Sequence, residues 1–363
     1  MDTPKKMYIP QGAKAMLPQG GLPEVISLYL IKLIEKTGGK NGPIGRQFMA
    51  QPELEKKYYH IKSEDPLSED HNEVAPGVVY KYRGKINKKG KVITYGRVLW
   101  TVTRFCASYC RFCTRGREVG MPSYIKAHTK AAIAQKPYLD DKEIAKVVAF
   151  LKKHKEINEV ILSGGDPLTT PRPYLTKIIE ALSELQRGGD LDIFRLGTRL
   201  PVHNPISIQQ WHYELLSKIR NPYLMVHINH PLELTKETLA VLYNFRKIAL
   251  ATVCSQSVFL KGVNDSVETM YDLFIQLTSN GIRPYYVFQN DPVYWAAHFT
   301  VPMKRAIAIW EKLRPRLSGL SATARFVIDV PFGYGKIPLP EGKAWKVSYS
   351  HYFDFKGKEH KLA

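Results

Sequence analysis

The sequence predicts an α/β fold in which a mostly parallel sheet curves into a partial (β/α) barrel, preceded by a helical extension. From about residue 97 onward, short β-rich runs alternate with helix-like runs, as in successive βαβ units. The strand runs are continuously apolar, which is expected where both faces of a sheet are covered. The seven or so strand candidates are one fewer than a closed eight-stranded barrel requires.

Three regions follow from this pattern. Residues 1–75 form the extension, in which LPEVISLYLIKLIEKTGG (22–39) predicts an amphipathic helix that ends at Gly38-Gly39. Residues 76–340 form the barrel, and residues 341–363 form a C-terminal tail. The predicted strands are RVLWTVT (97–103), EVILSGG (159–165), DIFRLGT (192–198), YLMVHIN (223–229), ALATVC (249–254), RPYYVFQ (283–289) and ARFVIDV (324–330). The predicted helices are DKEIAKVVAFLKKH (141–154), YLTKIIEALSELQRG (174–188), ISIQQWHYELLSKI (206–219), KETLAVLYNFRK (236–247), VETMYDLFIQLTSNG (267–281) and MKRAIAIWEKLRPR (303–316).

The composition narrows the class of protein. With 44% hydrophobic and 11% aromatic residues, the 363-residue chain suits a globular protein with a large core. No apolar run approaches the roughly 20 residues of a membrane span. The N-terminus lacks a secretory signal, so we expect a cytoplasmic, reducing location. The net charge of +20 is scattered over short stretches, which indicates attraction for anionic ligands and argues against nucleic-acid binding as the main function.

The run FCASYCRFCTRG places Cys106, Cys110 and Cys113 in the spacing C-x3-C-x2-C. Three such thiolates can hold three corners of a cubic iron–sulfur cluster and leave one iron open for a substrate or cofactor. A structural zinc site would need a fourth ligand. The remaining cysteine, Cys254, ends an apolar run and is typical of a core thiol. A chance cluster of buried cysteines is the alternative interpretation.

Polar residues follow most of the predicted strands, where ligands bind in parallel sheets and barrels. Gly164 and Gly165 let a backbone approach a ligand closely and expose peptide N–H groups, and Asp166 can hold an amine. A simple turn is the alternative interpretation of this Gly-Gly-Asp sequence. The other strand-end residues are Arg195, Arg199, His227, His230, Ser255, Gln256, Ser257, Asp291 and Asp329.

Lys336 lies in a Gly-x-Gly-Lys turn after the last predicted strand. A lysine there can bind phosphate as a cation or form a Schiff base with pyridoxal phosphate (PLP). FGYGK is not a P-loop, because the spacing differs and no Ser or Thr follows the lysine. The spacing alone favours a flexible surface turn.

Taken together, these motifs resemble those of the lysine 2,3-aminomutases, radical S-adenosylmethionine (radical SAM) enzymes that also use PLP. The resemblance covers roughly residues 40–355. It is carried by DPLSED, APG, CASYCRFCTRG, LSGGDPL, RLGTRLP, INHP, SQSVFLKGVND, RPYYVFQND, HFTVP and FVIDVPFGYGK, in the order of the family. The resemblance implies a partial (β/α) barrel of the radical SAM type.

The resemblance also implies a role for each matching residue. Cys106, Cys110 and Cys113 would bind the [4Fe–4S] cluster. Asp166 and Gln256 would contact SAM, with Gly164 and Gly165 shaping the loop. Lys336 would form the Schiff base with PLP, and Arg97, Lys81 and Tyr82 would surround that cofactor. Arg115 would grip the substrate carboxylate, and Asp291 and Asp329 would bind the distal ammonium of lysine.

The implied reaction interconverts L-lysine and β-lysine by 2,3-amino migration on PLP, started by a 5′-deoxyadenosyl radical from SAM. Two acids at the distal end favour lysine over glutamate, because like charges in a dry pocket are costly. The alternatives are another amino acid such as arginine, or the β-lysine-forming enzyme of elongation factor P modification. A SAM-binding protein without mutase activity and a basic RNA-modifying radical SAM protein are further alternatives.

The chain departs from the family in three places. RGKINKKGKVITY (83–95) is an apparent insertion that predicts a basic hairpin, and Lys81 stands where the family usually has arginine. Phe332 and Tyr334 occupy a loop that is richer in glycine in the family. The sequence ends at Ala363 without a cysteine-bearing tail, so we expect no structural zinc and no tail-mediated assembly. A homo-oligomer stays open, and the expected electron donor is flavodoxin or ferredoxin.

Overall fold

The computed structural model describes residues 22, 24–57, 65–119, 138–333, 335–341, 348, 350–354 and 357–361. The helices described in the extension are α1 (Leu28–Lys36), α2 (Pro43–Phe48) and α3 (Pro52–Lys56). α1 begins after Ser27, whose hydroxyl accepts a hydrogen bond from the backbone N–H of Leu30 at 3.1 Å. The helix predicted over 22–39 is therefore too long, since Val25 and Ile26 lie buried in non-helical backbone before this cap.

The rest of the described chain alternates strands with helices. The strands are β1 (Glu73–Ala75), β2 (Val78–Tyr82), β3 (Lys85–Ile86), β4 (Val92–Thr94), β5 (Gly96–Thr103), β6 (Ile157–Gly164), β7 (Ile193–Thr198), β8 (Tyr223–His227), β9 (Thr252–Phe259), β10 (Arg283–Gln289), β11 (Arg325–Asp329), β12 (Lys336–Pro338), β13 (His351–Phe353) and β14 (Glu359–Lys361). The helices are α4 (Asp141–Lys153), α5 (Arg172–Arg187), α6 (Leu200–His203), α7 (Gln210–Leu216), α8 (Lys236–Ile248), α9 (Val267–Ser279) and α10 (Met303–Leu313).

One ten-stranded sheet organises the fold, in the order β1-β2-β5-β6-β7-β8-β9-β10-β11-β12. The strands from β5 to β11 pair in parallel, and β2 and β12 pair antiparallel at the two sides of this parallel part. The seven predicted strands and the α/β class are confirmed. β9 extends past the predicted end at Cys254 to Phe259. The longer strand includes Ser255 and Ser257, which are polar but buried.

The helices between these strands also follow the prediction, with one shortened. The helix predicted over 206–219 is reduced to α7, since Pro205–Ser207 forms a separate 3-10 turn before it. The basic insertion forms the antiparallel hairpin β3–β4, as predicted. Tyr334 and the Phe332 side chain lie outside the described residues, as do most of the predicted C-terminal tail and residues 1–21.

The sheet curves until its two sides meet around an internal cavity. The Lys81 ammonium of β2 lies 3.5 Å from the carbonyl oxygen of Val330, which follows β11. A Cβ atom at Gly333, where φ is +77°, would lie 2.3 Å from the Lys81 carbonyl oxygen. This position therefore requires glycine for both its backbone conformation and its close approach. These contacts bring the first and last parts of the sheet together, although the described strands on the two sides do not pair with each other.

The extension is joined to the cysteine loop by a buried ion pair. Arg111, between the second and third cysteines, donates from Nε and Nη2 to the carboxylate of Glu55 on α3, at 2.9 and 2.5 Å. Both side chains are at most 1% exposed. Nη1 of Arg111 donates to the carbonyl oxygen of Leu22 at 2.9 Å. The extension therefore fixes the position of the loop that carries the thiols.

We expect Glu55→Gln to lower the free energy of unfolding by about 3–5 kcal/mol, because it leaves the buried Arg111 guanidinium without its counter-charge. Urea unfolding followed by circular dichroism measures this loss. Glu180→Gln is the matched control, since Glu180 forms an ion pair with Lys218 at 47% exposure of both side chains. Exposed pairs contribute about 1 kcal/mol or less. Equal losses in the two variants would contradict the anchoring role of Glu55.

Candidate active site

A cavity of about 540 Å³ occupies the inside of the curved sheet. Apolar side chains such as Leu67, Val79 and Ile161 form part of its wall. Neighbouring strands direct alternate side chains to the same side of a sheet, which brings distant residues together here. Eight residues to which the resemblance assigns a role line this cavity: Lys81, Tyr82, Arg97, Arg115, Gln256, Asp291, Asp329 and Lys336. Arg195, His227 and Cys254, which received no role, line it as well.

Lys336 starts β12 and lies opposite Asp329 of β11 in the antiparallel register. Its Nζ donates a hydrogen bond to Oδ2 of Asp329 at 2.5 Å, and the Tyr82 hydroxyl lies 3.5 Å from Oδ1. Burial lowers the pKa of Lys336 below its usual range, although the Asp329 carboxylate acts in the opposite direction. The turn between the strands thus brings the primary ammonium of Lys336 into an ion pair with the Asp329 carboxylate inside the cavity.

Asp291 lies just after β10, the strand that pairs with β11. Burial, together with the nearby Asp329 carboxylate, raises the pKa of Asp291 to about 6, against a hydrogen bond from the Thr114 hydroxyl at 2.7 Å. The two acids at the distal end predicted from the sequence are therefore close enough to repel each other. A cation bound between them would relieve this repulsion.

Arg115 is held by a residue that the sequence argument missed, Glu69. Nε and Nη2 of Arg115 donate to the two oxygens of Glu69 at 2.7 and 2.6 Å, while Nη1 lies 3.3 Å from the Ser163 hydroxyl. Burial alone would raise the pKa of Glu69, but Arg115 and Arg117 bring it below its usual value. Glu69 belongs to the DPLSED motif, which was quoted for the resemblance but received no role. The pair fixes the direction of the guanidinium fork.

Arg97, Tyr82 and Lys81 form a cationic and aromatic group on β2 and β5. Tyr82 and Arg97 are register partners, and the Arg97 guanidinium lies 3.8 Å from the centre of the Tyr82 ring. The Lys81 ammonium lies 5.8 Å from the same ring. The inserted hairpin connects β2 to β5 without separating these residues, so the insertion leaves the group intact.

The cysteine loop follows β5 and packs against an apolar cluster of buried side chains. Cys106, Cys110 and Cys113 are partly exposed and contact this cluster, which includes Phe112 and Trp295. Burial raises the pKa of the Cys106 thiol, and it raises that of Cys113 to about 12. Charge repulsion from Cys113 and Cys110 also raises the pKa of Cys106, and repulsion from Cys110 raises that of Cys113, which shows that the three sulfurs lie close together. Thiolates here require a cation to stabilise them.

The donor set fits an iron–sulfur cluster better than a single ion. Within the described ranges, no group of three or more His, Cys, Asp or Glu side chains is arranged to hold one metal ion. In a cubic cluster each thiolate binds a different iron, so the sulfurs stand farther apart than the ligands of a single ion. Three thiols from one loop, in apolar surroundings, suit such a cluster with one open iron.

Gly164, Gly165 and Asp166 lie against the backbone that leads into the cysteine loop. A Cβ atom at Gly164 or Gly165 would lie 2.1 Å from a carbonyl oxygen, that of Thr103 or Phe105 respectively. The N–H of Gly165 donates to Thr103 and that of Asp166 to Phe105, at 2.7 and 2.9 Å. The expected exposed N–H groups are therefore used within the protein. The glycines allow close packing of the loop.

The Asp166 carboxylate differs from the expectation that this acid is available to an amine. It accepts hydrogen bonds from the backbone N–H groups of Leu168, Arg199 and Leu200, and from the Thr198 hydroxyl. Burial raises its pKa to about 6 even with these donors. Because five hydrogen bonds already engage its two oxygens, the carboxylate joins the ends of β6 and β7.

Two histidines at the end of β8 have local partners. Nε2 of His227 lies 3.1 Å from the Asn229 amide oxygen, and burial lowers the pKa of this histidine to about 3. His227 lines the cavity and its ring lies 5.3 Å from that of Phe112. Nδ1 of His230 accepts from the backbone N–H of Leu232 at 3.2 Å, as a cap. His227 is therefore a neutral polar group next to the cysteine loop.

Comparisons with known proteins place the chain in a superfamily. Residues 100–274, which include the cysteine loop, match the Radical SAM superfamily. A solved radical SAM methyltransferase from Sphaerobacter thermophilus aligns with 70% of this chain and 78% of its own, at 16% identity and a TM-score of 0.47, a likeness too remote to carry an argument.

Three relatives share most of the chain. The L-lysine 2,3-aminomutase of Methanococcus maripaludis is 33% identical over 87% of this chain, which spans just 66% of that protein. A putative L-lysine 2,3-aminomutase of Treponema pallidum is 34% identical over 88% of this chain and 81% of its own. The L-lysine 2,3-aminomutase of Clostridium subterminale is 32% identical over 90% of this chain and 70% of its own. The chain therefore belongs to the lysine 2,3-aminomutase family of the radical SAM superfamily.

Proposed function

We propose that this protein interconverts L-lysine and β-lysine by moving the amino group between C2 and C3. One observation carries the choice of substrate: Asp329 binds a primary ammonium, that of Lys336, inside the cavity. Asp291 lies near enough to Asp329 to add negative charge to this part of the cavity. When Lys336 holds a cofactor and loses its free ammonium, Asp329 becomes available to the distal ammonium of a lysine substrate.

Arg115 is the proposed partner of the substrate carboxylate. Its guanidinium lines the same cavity as the two acids, and Glu69 and Ser163 hold it in one direction. Glu69 takes one N–H each from Nε and Nη2, so the remaining N–H groups of Nη1 and Nη2 are the ones proposed to bind the substrate carboxylate. A substrate with a second carboxylate, such as glutamate, would place like charges beside Asp291 and Asp329. The arrangement therefore favours a basic amino acid.

Membership of the radical SAM superfamily implies a [4Fe–4S] cluster and SAM. We assign the cluster to Cys106, Cys110 and Cys113, and the SAM site to Gln256 and the Gly164–Asp166 loop. When bound, these groups supply the 5′-deoxyadenosyl radical that removes a hydrogen from the substrate. Because the Asp166 carboxylate already has its hydrogen bonds, its proposed contribution is to fix the loop rather than to donate an oxygen to SAM.

PLP is the proposed second cofactor, and the residues of the cavity fit it. Lys336 offers a half-buried amine, and Arg97 and Lys81 offer positive charge for a phosphate beside the Tyr82 ring. When bound, PLP supplies the conjugated ring that delocalises the unpaired electron during nitrogen migration. The protein's part is to bind, orient and exclude water, for which the apolar wall of the cavity is suited.

A proton must leave Lys336 before its nitrogen can act as a nucleophile. Burial lowers the pKa of this ammonium, which makes the neutral amine easier to reach. Oδ2 of Asp329 lies 2.5 Å from Nζ and is positioned to accept this proton. After the proton has passed on to solvent, the same carboxylate can bind the substrate ammonium.

The cellular setting follows from the cofactors. A thiolate-bound cluster persists in a reducing compartment, so we propose a cytoplasmic location, with flavodoxin or ferredoxin as the electron donor. The chain's net charge of +20 would attract such acidic proteins. None of the helices in the described ranges has the length and hydropathy of a membrane span.

Lys336→Ala should abolish covalent capture of PLP while leaving the iron content unchanged, because alanine offers no amine and the cysteine loop is elsewhere. Borohydride reduction followed by mass spectrometry measures the covalent adduct, and an iron assay measures the cluster. Lys81→Ala is the matched control, a cavity lysine whose loss should weaken PLP retention but keep the adduct at Lys336. A wild-type yield of adduct in Lys336→Ala would contradict the assignment.

Asp291→Asn and Asp329→Asn should each lower kcat/KM for lysine by about 30-fold or more, since truncating one member of a buried charge pair costs at least about 2 kcal/mol. Reductive cleavage of SAM without lysine should stay close to the wild-type rate. Product analysis and 5′-deoxyadenosine assays measure the two activities. Asp141→Asn, at an exposed pair with Lys177, is the control. Equal loss of both activities would sink the ammonium-binding role.

A further inference from the structure

Arg199, in the RLGTRLP motif after β7, has no role in the account so far, yet its guanidinium reaches the cysteine loop. Its Nη1 lies 2.9 Å from the sulfur of Cys110. The residue is only 5% exposed. A cation this deeply buried needs anionic or hydrogen-bonding partners to offset its desolvation. Arg199 therefore depends on a few specific contacts, one of which is with the Cys110 sulfur.

The other partners of Arg199 hold it against the loop. Its Nη2 donates to the Gln47 amide oxygen of α2 at 2.5 Å and lies 3.3 Å from Oε2 of Glu233. The guanidinium carbon lies 4.4 Å from the ring centre of Phe48 and 5.1 Å from that of Phe112. Two aromatic faces and two polar partners leave the planar group little freedom.

The support of Arg199 is itself built from several parts of the chain. Nε2 of Gln47 donates to Oε1 of Glu233 at 2.8 Å, and the Gln47 oxygen also accepts from Asn229 at 2.9 Å. The Gln47 carbonyl oxygen accepts from the backbone N–H of Arg111, inside the cysteine loop, at 2.8 Å. The extension, the end of β8 and the cysteine loop therefore share one buried network, with Arg199 facing the sulfur.

We propose that Arg199 is a positioning residue that acts through Cys110: it donates a charged hydrogen bond to this sulfur and raises the reduction potential of the cluster. Hydrogen bonds to cluster sulfurs are among the factors that set such potentials. Reduction adds one electron to the cluster, supplied by the external donor protein, and so increases the negative charge beside the guanidinium. A cation at 2.9 Å stabilises the reduced state more than the oxidised state.

Glu233 provides the opposite sign in the same network. Its carboxylate is fully buried and lies farther from the Cys110 sulfur than Arg199 does along the chain of contacts. Removing the cation should therefore lower the potential, and removing the anion should raise it. Damage to the local structure alone would not produce shifts of opposite sign in the two variants.

The experiment compares the full chain with Arg199→Gln, Glu233→Gln and Arg199→Lys after anaerobic reconstitution with iron and sulfide. Iron and sulfide contents are measured first, and the reduced cluster is then titrated by EPR against ambient potential without SAM or substrate. We expect Arg199→Gln to lower the ratio of reduced to oxidised cluster at a fixed potential about tenfold, which is about 59 mV for one electron. Glu233→Gln should raise this ratio, and Arg199→Lys should give an intermediate value.

This inference rests on the proposed cluster site, and the experiment separates the two claims. If the wild-type chain binds no [4Fe–4S] cluster, the proposed function fails and the inference with it. If Arg199→Gln holds a full cluster with the wild-type potential, the inference alone is overturned. Shifts of the same sign in Arg199→Gln and Glu233→Gln would also overturn it. Should Arg199→Gln lose its cluster, Arg199→Lys decides: an unchanged potential there contradicts the proposal.

Discussion

The burial of charge around the cysteine loop is the constraint on which the site depends. The loop has no helix or strand of its own, yet it must hold three sulfurs in apolar surroundings. Two buried arginines stabilise it from different sides: Arg111 pairs with Glu55 of α3, and Arg199 contacts Cys110. Without the extension, Arg111 would lose its counter-charge. The helices before the barrel are therefore part of the site, although they contribute no residue to the central cavity.

The turn after β6 packs closely against the backbone that leads into the cysteine loop. Gly164 and Gly165 bring the end of β6 against the carbonyl groups that follow β5, where any side chain would collide. Asp166 then joins this turn to the end of β7 through hydrogen bonds to Thr198 and Arg199. The same acid that fixes the turn thus fixes the backbone of Arg199. The cysteine loop, the glycine turn and Arg199 are therefore connected by direct contacts.

The cavity shows how register produces a charge pattern across the barrel. Asp329 and Lys336 meet because β11 and β12 pair antiparallel across a short turn. Tyr82 and Arg97 meet because β2 and β5 pair antiparallel on either side of the inserted hairpin. Arg115 reaches the cavity from the cysteine loop. Groups of opposite charge on one cavity wall can orient a zwitterion. This charge pattern supports the proposed basic amino acid substrate.

Much of this fold could be predicted from local pattern. Seven apolar runs separated by helix-like runs predicted the parallel strands, and the residues at their ends include Gln256, Asp291 and Asp329 of the cavity. The partners Glu55, Gln47 and Glu233 could not be found in this way, because they are 56, 152 and 34 residues away from the arginines they contact. Asp166 is a case in which the sequence pattern predicted too much. An acid after a strand predicts contact with a ligand, but the structure shows that both carboxylate oxygens accept hydrogen bonds from the protein.

The most direct test of the central claim is the reaction itself. The protein would be reconstituted anaerobically with iron, sulfide and PLP, reduced with dithionite in the presence of SAM, and offered lysine, arginine and glutamate separately. The account predicts β-lysine from lysine and no β-amino acid from the other two. Cleavage of SAM without any β-lysine would keep a radical SAM enzyme but contradict the assignment of Asp291, Asp329 and Arg115 to a lysine substrate.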